Sequence, residues 1–241
     1  RFRENAGRGG VCAADRRTAV GEAGKMLMEL PRLWLGRPVP VRWEGEAHVA
    51  DALQAQRGVL FLTPHLGCFE VAAQAYASQF GCHGHPMTVL FRPPRKAWLR
   101  ALVAVARVRP GLAVAPTTRA GVRQLLQSLR AGHCVGLLPD QVPPRAMGLW
   151  APFFGQAAYT MTLSARLALQ TGAVLLLAWA ERLPRGQGYV VHVLPMDAAL
   201  SPALPQALAQ INGAMESLIQ RHPAQYLWGY ARYKSPAEEA T

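Results

Sequence analysis

Along this chain, short unbroken apolar runs alternate with segments in which apolar residues recur every three or four positions. Five runs are strand-sized: Val59–Leu62, Met87–Phe91, 135–138, 173–180 and 189–194. Several are apolar throughout, the pattern of strands covered on both faces of a sheet. Between them lie helical patterns at 98–108, 120–130, 160–170 and 205–221. In the second, Val122, Leu125, Leu126 and Leu129 form one stripe, Arg119, Arg123 and Arg130 lie off it, and Gly132 is a natural stop. Gly172 ends the third. The fourth turns Leu208, Ile211, Met215 and Leu218 inward, and Pro223 follows it. Upstream, 20–35 reads as an amphipathic helix with Leu27, Leu30 and Trp34 on its bulky side, Lys25 and Arg32 nearby and a kink expected at Pro31. Docking on the domain and lying on a membrane surface suit it equally. Residues 40–57 read as a polar connector. The alternation predicts an α/β fold: a single domain with a largely parallel central sheet flanked by helices, plus the N-terminal amphipathic helix. Three stretches follow: a helical, membrane-proximal segment over 1–40, the main domain over 41–234, and a polar, frayed tail over 235–241.

Length and charge narrow this picture. A chain of 241 residues buries a substantial core. Lys plus Arg number 26 against 14 acidic residues, a net charge of +12. Such an excess favours nucleic acid, anionic lipid or an acidic protein as partner. The cations are scattered and mostly Arg, with no nucleic-acid-binding motif around them, so nucleic acid is disfavoured. Cys12, Cys68, Cys82 and Cys134 form no C-x-x-C pair and read as reduced thiols. Cys82, His83 and His85 lie close together, but no second cluster of matching spacing accompanies them, so a plain loop is favoured over a metal site. No apolar run approaches the ~20 residues that span a bilayer. The chain opens at Arg1 without Met, so a missing N-terminal anchor is an expectation.

Candidate chemistry gathers where strands end. In open α/β sheets the site lies beyond the carboxyl ends of the strands. Three marked loops fall there: Pro64-His65 after the first run, Arg92-Pro93-Pro94-Arg95 after the second, and Pro139-Asp140-Gln141 after the third. His65 and Glu70 are five positions apart, which on one continuous helix would set their side chains about 140° from each other. A direct contact therefore needs His65 in a loop and Glu70 in the first turns of the helix, and Pro64 and Gly67 supply such a loop. A histidine beside a carboxylate can take a proton from a hydroxyl. A second pair of equal spacing, His192 and Asp197, lies within an apparent strand and reads as a sheet residue followed by a turn or cap residue. Arg92 and Arg95 suit a phosphate or carboxylate, though a solvated basic turn is the plainer reading. Asp140 also suits a cap or turn. The aromatic stretch from Trp150 to Gly155 reads as a loop, lining an apolar pocket or covering the core. The stretch from Tyr226 to Lys234 mixes aromatics and cations, as at a membrane interface, in base stacking, or in a segment packed on the domain.

In order and spacing these blocks resemble the late acyltransferases of lipid A biosynthesis, the lauroyl/myristoyl acyltransferase family within the wider glycerolipid acyltransferase group. The resemblance rests on His65-x4-Glu70, Phe91-Arg92-Pro93, Leu138-Pro139-Asp140-Gln141, Ala151-Pro152-Phe153-Phe154-Gly155 with Thr160, Tyr226-Leu227-Trp228, Arg232-Tyr233-Lys234, and Arg3-Glu4-Asn5 near the start. It implies an enzyme on the cytoplasmic face of a Gram-negative inner membrane, peripheral or anchored, that moves a fatty acyl group from acyl carrier protein to a hydroxyl of a lipid A precursor. It implies His65 as general base and Glu70 as its orienting partner. Arg92, Arg95, Asp140, Gln141, Phe154, Gly155 and Thr160 become substrate-binding candidates. The expected partners are acyl carrier protein, the lipid A precursor and an anionic membrane surface, with no nucleic acid. No metal and no cofactor are expected, acyl carrier protein entering as co-substrate. Cys68 stands where the family often has Asn, the 145–149 block lacks the frequent Gly-Glu-Gly, and the 173–180 strand lacks a common proline. Two rivals remain: an acyltransferase for lysophospholipid or another lipid, and a non-catalytic basic module that binds lipid or nucleic acid. Acyl length is not legible in the chain.

Overall fold

The computed structural model describes residues 1–91, 96, 103 and 109–236. In chain order these form α1 (Phe2–Arg8), α2 (Ala13–Met28), α3 (Leu30–Leu35), β1 (Val41–Glu44), α4 (Glu46–Gln54), β2 (Val59–Leu62), α5 (Phe69–Gln79), β3 (Met87–Phe91), β4 (Leu112–Pro116), α6 (Arg119–Arg130), β5 (Cys134–Leu137), β6 (Gly148–Phe153), β7 (Gln156–Met161), α7 (Leu163–Thr171), β8 (Val174–Arg182), β9 (Tyr189–Pro195) and α8 (Leu204–Arg221).

Seven strands build the central sheet in the order β1-β9-β8-β2-β5-β3-β4. All neighbours run parallel except β8 and β9, which pair antiparallel. Both faces are covered, which is why β2 and β5 are apolar at every position and wholly buried. Leu60 and Leu62 point into the cluster formed with α6, α7 and α8. Val59 and Phe61 point into the opposite cluster, formed with α4 and α5. Each such leucine contributes about 1.5–3 kcal/mol by leaving water. β2 lies between β8 and β5, so its carboxyl end opens at the centre of the sheet.

Several sequence expectations shift by a residue or two. β5 begins at Cys134, and α6 starts at Arg119, where the Thr118 hydroxyl accepts from the Gly121 N–H at 3.3 Å. The 20–35 helix is longer and divided: α2 ends at Met28 and α3 restarts with Pro31 in its first turn. The connector over 40–57 instead holds β1 and α4. The third helix begins at Leu163, because Thr160 belongs to β7. The aromatic stretch after Trp150 is a β-hairpin of β6 and β7, with α8 packed against β6. The helical pattern at 98–108 lies almost wholly outside the described residues.

Candidate active site

The site follows from the register of two parallel strands. Leu62 of β2 pairs with Leu137 of β5, and the Thr63 N–H extends the ladder to the Leu137 carbonyl at 3.0 Å. His65 and Asp140 each lie three residues past that pair, so the two strands deliver them side by side. The Asp140 carboxylate grips His65 twice: Oδ1 is 2.7 Å from Nδ1, and Oδ2 accepts from the backbone N–H at 2.8 Å. The amide Nε2 of Gln141 lies 3.0 Å from His65 Nε2. With a carboxylate at Nδ1 and an amide donor at Nε2, the neutral ring carries its proton on Nδ1 and keeps a lone pair on Nε2. That is the tautomer a general base needs.

The surroundings fix the loop. Gly67 takes φ of 60°, and a Cβ there would fall 1.9 Å from the Ala180 carbonyl, so only glycine lets the loop lie on β8. The N–H groups of Gly67 and Cys68 donate to the Gln225 and Ala180 carbonyls at 3.0 and 2.8 Å. The His65 carbonyl accepts from Leu227 N–H at 3.1 Å. The edge of the Phe69 ring meets the imidazole at a centroid distance of 5.1 Å. His65 remains 14% exposed while Asp140 is 2% exposed, so the base is reachable and its partner is not.

Asp140 is held ionised from behind. Burial pushes its carboxyl up, but His65, through ring and backbone, outweighs burial with help from Arg232, and the carboxyl stays below its usual range. The Tyr226 hydroxyl is buried beside Asp140, and burial with that neighbouring charge raises the phenol far above its usual value. Arg232 is 2% exposed. Its guanidinium donates to the Tyr159 carbonyl and the Thr160 hydroxyl, both at 2.8 Å. Tyr226 and Arg232 are supporting residues whose roles the sequence reading did not resolve; their block is the packed segment, one of its three readings.

The chain matches the family described as bacterial lipid A biosynthesis acyltransferase over residues 19–235. It belongs to that family. It is 27% identical over 223 residues to the lipid A biosynthesis lauroyltransferase of Escherichia coli strain K12, covering 89% of this chain and 70% of that one. Over 217 residues it is 27% identical to the lipid A biosynthesis palmitoleoyltransferase of the same strain, covering 88% and 69%. A lipid A biosynthesis acyltransferase 2 of Shigella flexneri is 26% identical over 190 residues, covering 78% and 59%.

For a lipid A acyltransferase, the expected site residues divide into three groups. His65, Asp140 and Gln141 converge. Glu70 stands buried in the first turn of α5, with Trp34 Nε1 at 3.5 Å from its Oε2. The carboxylate on Nδ1 of His65 is Asp140, in the place the spacing offered to Glu70. Phe154 and Gly155 form the turn of the β6–β7 hairpin, Phe154 packing against Phe153 and Trp228. Thr160 is fully enclosed, its hydroxyl accepting from Arg232 and, at 3.0 Å, from Asn212. It braces the interior rather than facing the base. Arg92 and Arg95 lie outside the described residues. Cys68 is buried at the start of α5, and burial, then the Glu29 charge, push its thiol well above its usual value. A thiol kept protonated is a poor nucleophile. Beside the base, Thr63 and Phe69 border an apolar cavity that runs between α5 and the sheet past Phe61, Tyr76, Met87 and Gly136.

Proposed function

We propose that this enzyme transfers a fatty acyl group from an acyl carrier protein thioester to a hydroxyl of a lipid A precursor, with His65 as general base. The observation that carries the reading is the Asp140–His65–Gln141 line, in which a buried carboxylate holds Nδ1 and the Nε2 lone pair on the opposite side of the ring meets the Gln141 amide. The acceptor hydroxyl takes the place of the Gln141 amide at Nε2. Its oxygen attacks the thioester carbonyl while the proton passes to Nε2. Asp140 stabilises the imidazolium, and Glu70, a second buried carboxylate at the same junction, adds to the negative potential that favours it. The displaced Gln141 N–H is a donor at hand for the developing oxyanion. Collapse expels the thiolate of the carrier, a good leaving group that takes the proton from the imidazolium. No step runs through Cys68 or through a metal.

The acyl chain enters the cavity behind Phe69, whose walls are apolar and begin two residues from the base. Arg92 and Arg95 hold anionic groups of the acceptor. The net charge of +12 suits both an anionic bilayer and an acidic carrier protein. The two Escherichia coli relatives are each 27% identical to this chain but named for different acyl groups, so overall similarity does not select one, and we assign acyl length to the residues that line the cavity.

The test is acyl transfer from a panel of acyl carrier protein thioesters to tetraacyl lipid A precursor, read by mass spectrometry. We expect an O-acylated product that disappears in a folded His65→Ala variant. Unchanged turnover in that variant would sink the base assignment. Transfer to lysophosphatidate in preference to the glucosamine acceptor would sink the acceptor assignment.

A further inference from the structure

Outside the catalytic junction, three strands and one helix end bring metal-ligating side chains together. Trp179 and Glu181 are two apart on β8 and share a face. His192 of β9 pairs with Trp179, and Glu44 of β1 is the register partner of His192. α8 ends at Arg221 and sets His222 over the same face. His192 thus lies between two carboxylates, with Nδ1 3.0 Å from Glu44 Oε2 and Nε2 2.9 Å from Glu181 Oε2. His222 Nδ1 is 3.7 Å from Glu181 Oε1. One ligand atom each from Glu181, His192 and His222 falls within 4.8 Å of the others.

Two imidazoles and a carboxylate form a donor set suited to zinc. A metal-bound histidine commonly carries a carboxylate on its other nitrogen. Glu44 supplies one here, leaving His192 Nε2 for the ion. The Trp179 ring stacks on His192 at 4.4 Å and 9°, fixing the plane of the ligand. His192, Glu181 and His222 are 12%, 23% and 26% exposed, so the cluster is sheltered yet open to water as a fourth ligand. Arg221, whose guanidinium lies 6.0 Å from the Trp179 ring, is the opposing positive charge.

We propose that Glu181, His192 and His222 form a zinc-type divalent cation site, with Glu44 orienting His192, that fastens the end of α8 to the sheet. The ion takes no part in acyl transfer. Its reach to the site is through the chain: His222 leads into Pro223–Gln225 and then Tyr226, which is buried beside the charge of Asp140.

The test uses the whole chain, stripped with a chelator and titrated with ZnCl2 by calorimetry and thermal unfolding. We expect one Zn²⁺ per chain and a Tm that rises with Zn²⁺, because the ion binds the folded form. Glu181→Gln and His222→Ala each remove stoichiometric binding, and Glu44→Gln weakens it about tenfold. His83→Ala, in the 3₁₀ turn Gly81–His83 and outside the cluster, leaves binding unchanged. Cobalt substitution should give a visible absorption spectrum of low-symmetry Co²⁺ that is lost in Glu181→Gln. If wild-type protein binds no Zn²⁺ stoichiometrically, or binding survives in both folded Glu181→Gln and folded His222→Ala, the proposal is wrong. A Tm that follows pH but ignores Zn²⁺ likewise overturns it and marks the cluster as a proton-sharing network.

Discussion

At the scale of single residues, the decisive contact is the 2.7 Å bond between His65 Nδ1 and Asp140 Oδ1. Asp140→Asn keeps the shape but removes the charge that stabilises the imidazolium, and it permits the opposite tautomer. We expect kcat to fall on the order of 10²–10⁴-fold with the fold retained, measured by steady-state acyl transfer. A loss below tenfold would detach Asp140 from the chemistry. Glu70→Gln is the matched comparison: turnover near wild type would leave Asp140 as the working carboxylate and remove Glu70 from the mechanism. His65 itself was legible in the sequence, since Pro64 and Gly67 mark a loop between a strand and a helix. Its Nδ1 partner was not, being 75 residues away and chosen by strand register. Tyr226 and Arg232 were hidden for the same reason: an aromatic beside cations reads alike whether it faces lipid or the interior.

At the scale of elements, α2 is tied to the sheet by charge. Arg182 at the end of β8 meets Glu22 and Glu29 at 2.6 Å each, and Tyr189 donates to Glu29 at 3.0 Å. These side chains are at most 10% exposed, so removing one leaves buried charge behind. Arg182→Gln should cost about 3 kcal/mol in denaturant unfolding. Burial raises the Glu29 carboxyl, yet Arg182 holds it below the ordinary value of 4.5. A depressed folded pKa gives stability that is complete above the unfolded value and lost as pH falls through the folded one. Hydrogen exchange in α2 should therefore quicken as pH drops below about 4.5, and less so in Glu29→Gln. An equal response in the two proteins would argue that other carboxylates govern the helix. Short elements were the ones the sequence concealed. β1 has four residues of alternating exposure, too few for a period to declare itself. The hairpin turns through Phe154 and Gly155, both at positive φ (46° and 70°), without the Asn-Gly signature of such turns, and Pro152 disguises its strand. The walls of the cavity come from α5 and six strands, so acyl length was illegible in any one segment. Ala72→Phe, on its α5 wall, should shift preference toward shorter thioesters, and an unchanged product profile would place the acyl chain elsewhere.

At the scale of the molecule, the α/β class was legible because fully buried strands and one-sided helices carry different periods, and the long, strongly periodic segments dominate the chain. What the sheet leaves outside is the N-terminal helical pair. Leu33 is buried against the domain, whereas Val20, Leu27, Met28 and Leu35 are 62%, 64%, 80% and 69% exposed. Exposed Arg17, Lys25, Arg32 and Arg37 accompany them. The docking reading is realised on the inner side, by Leu33 and the Arg182 contacts, while the outer side carries apolar residues amid cations. No helix among the described residues is long and apolar enough to cross a membrane. An apolar face rimmed by cations is suited to an interface, where partition follows buried apolar area plus attraction to anionic lipid. Cosedimentation with vesicles should thus increase with anionic lipid content and fall with added salt. The salt-resistant part should fall in a Leu27→Ser/Met28→Ser/Leu35→Ser variant, which keeps the charge and the Arg182 contacts. Because those side chains already meet water, the variant should unfold at the wild-type temperature, separating a binding defect from a folding defect. Equal vesicle binding by variant and wild type would leave charge alone to hold the enzyme at its substrate.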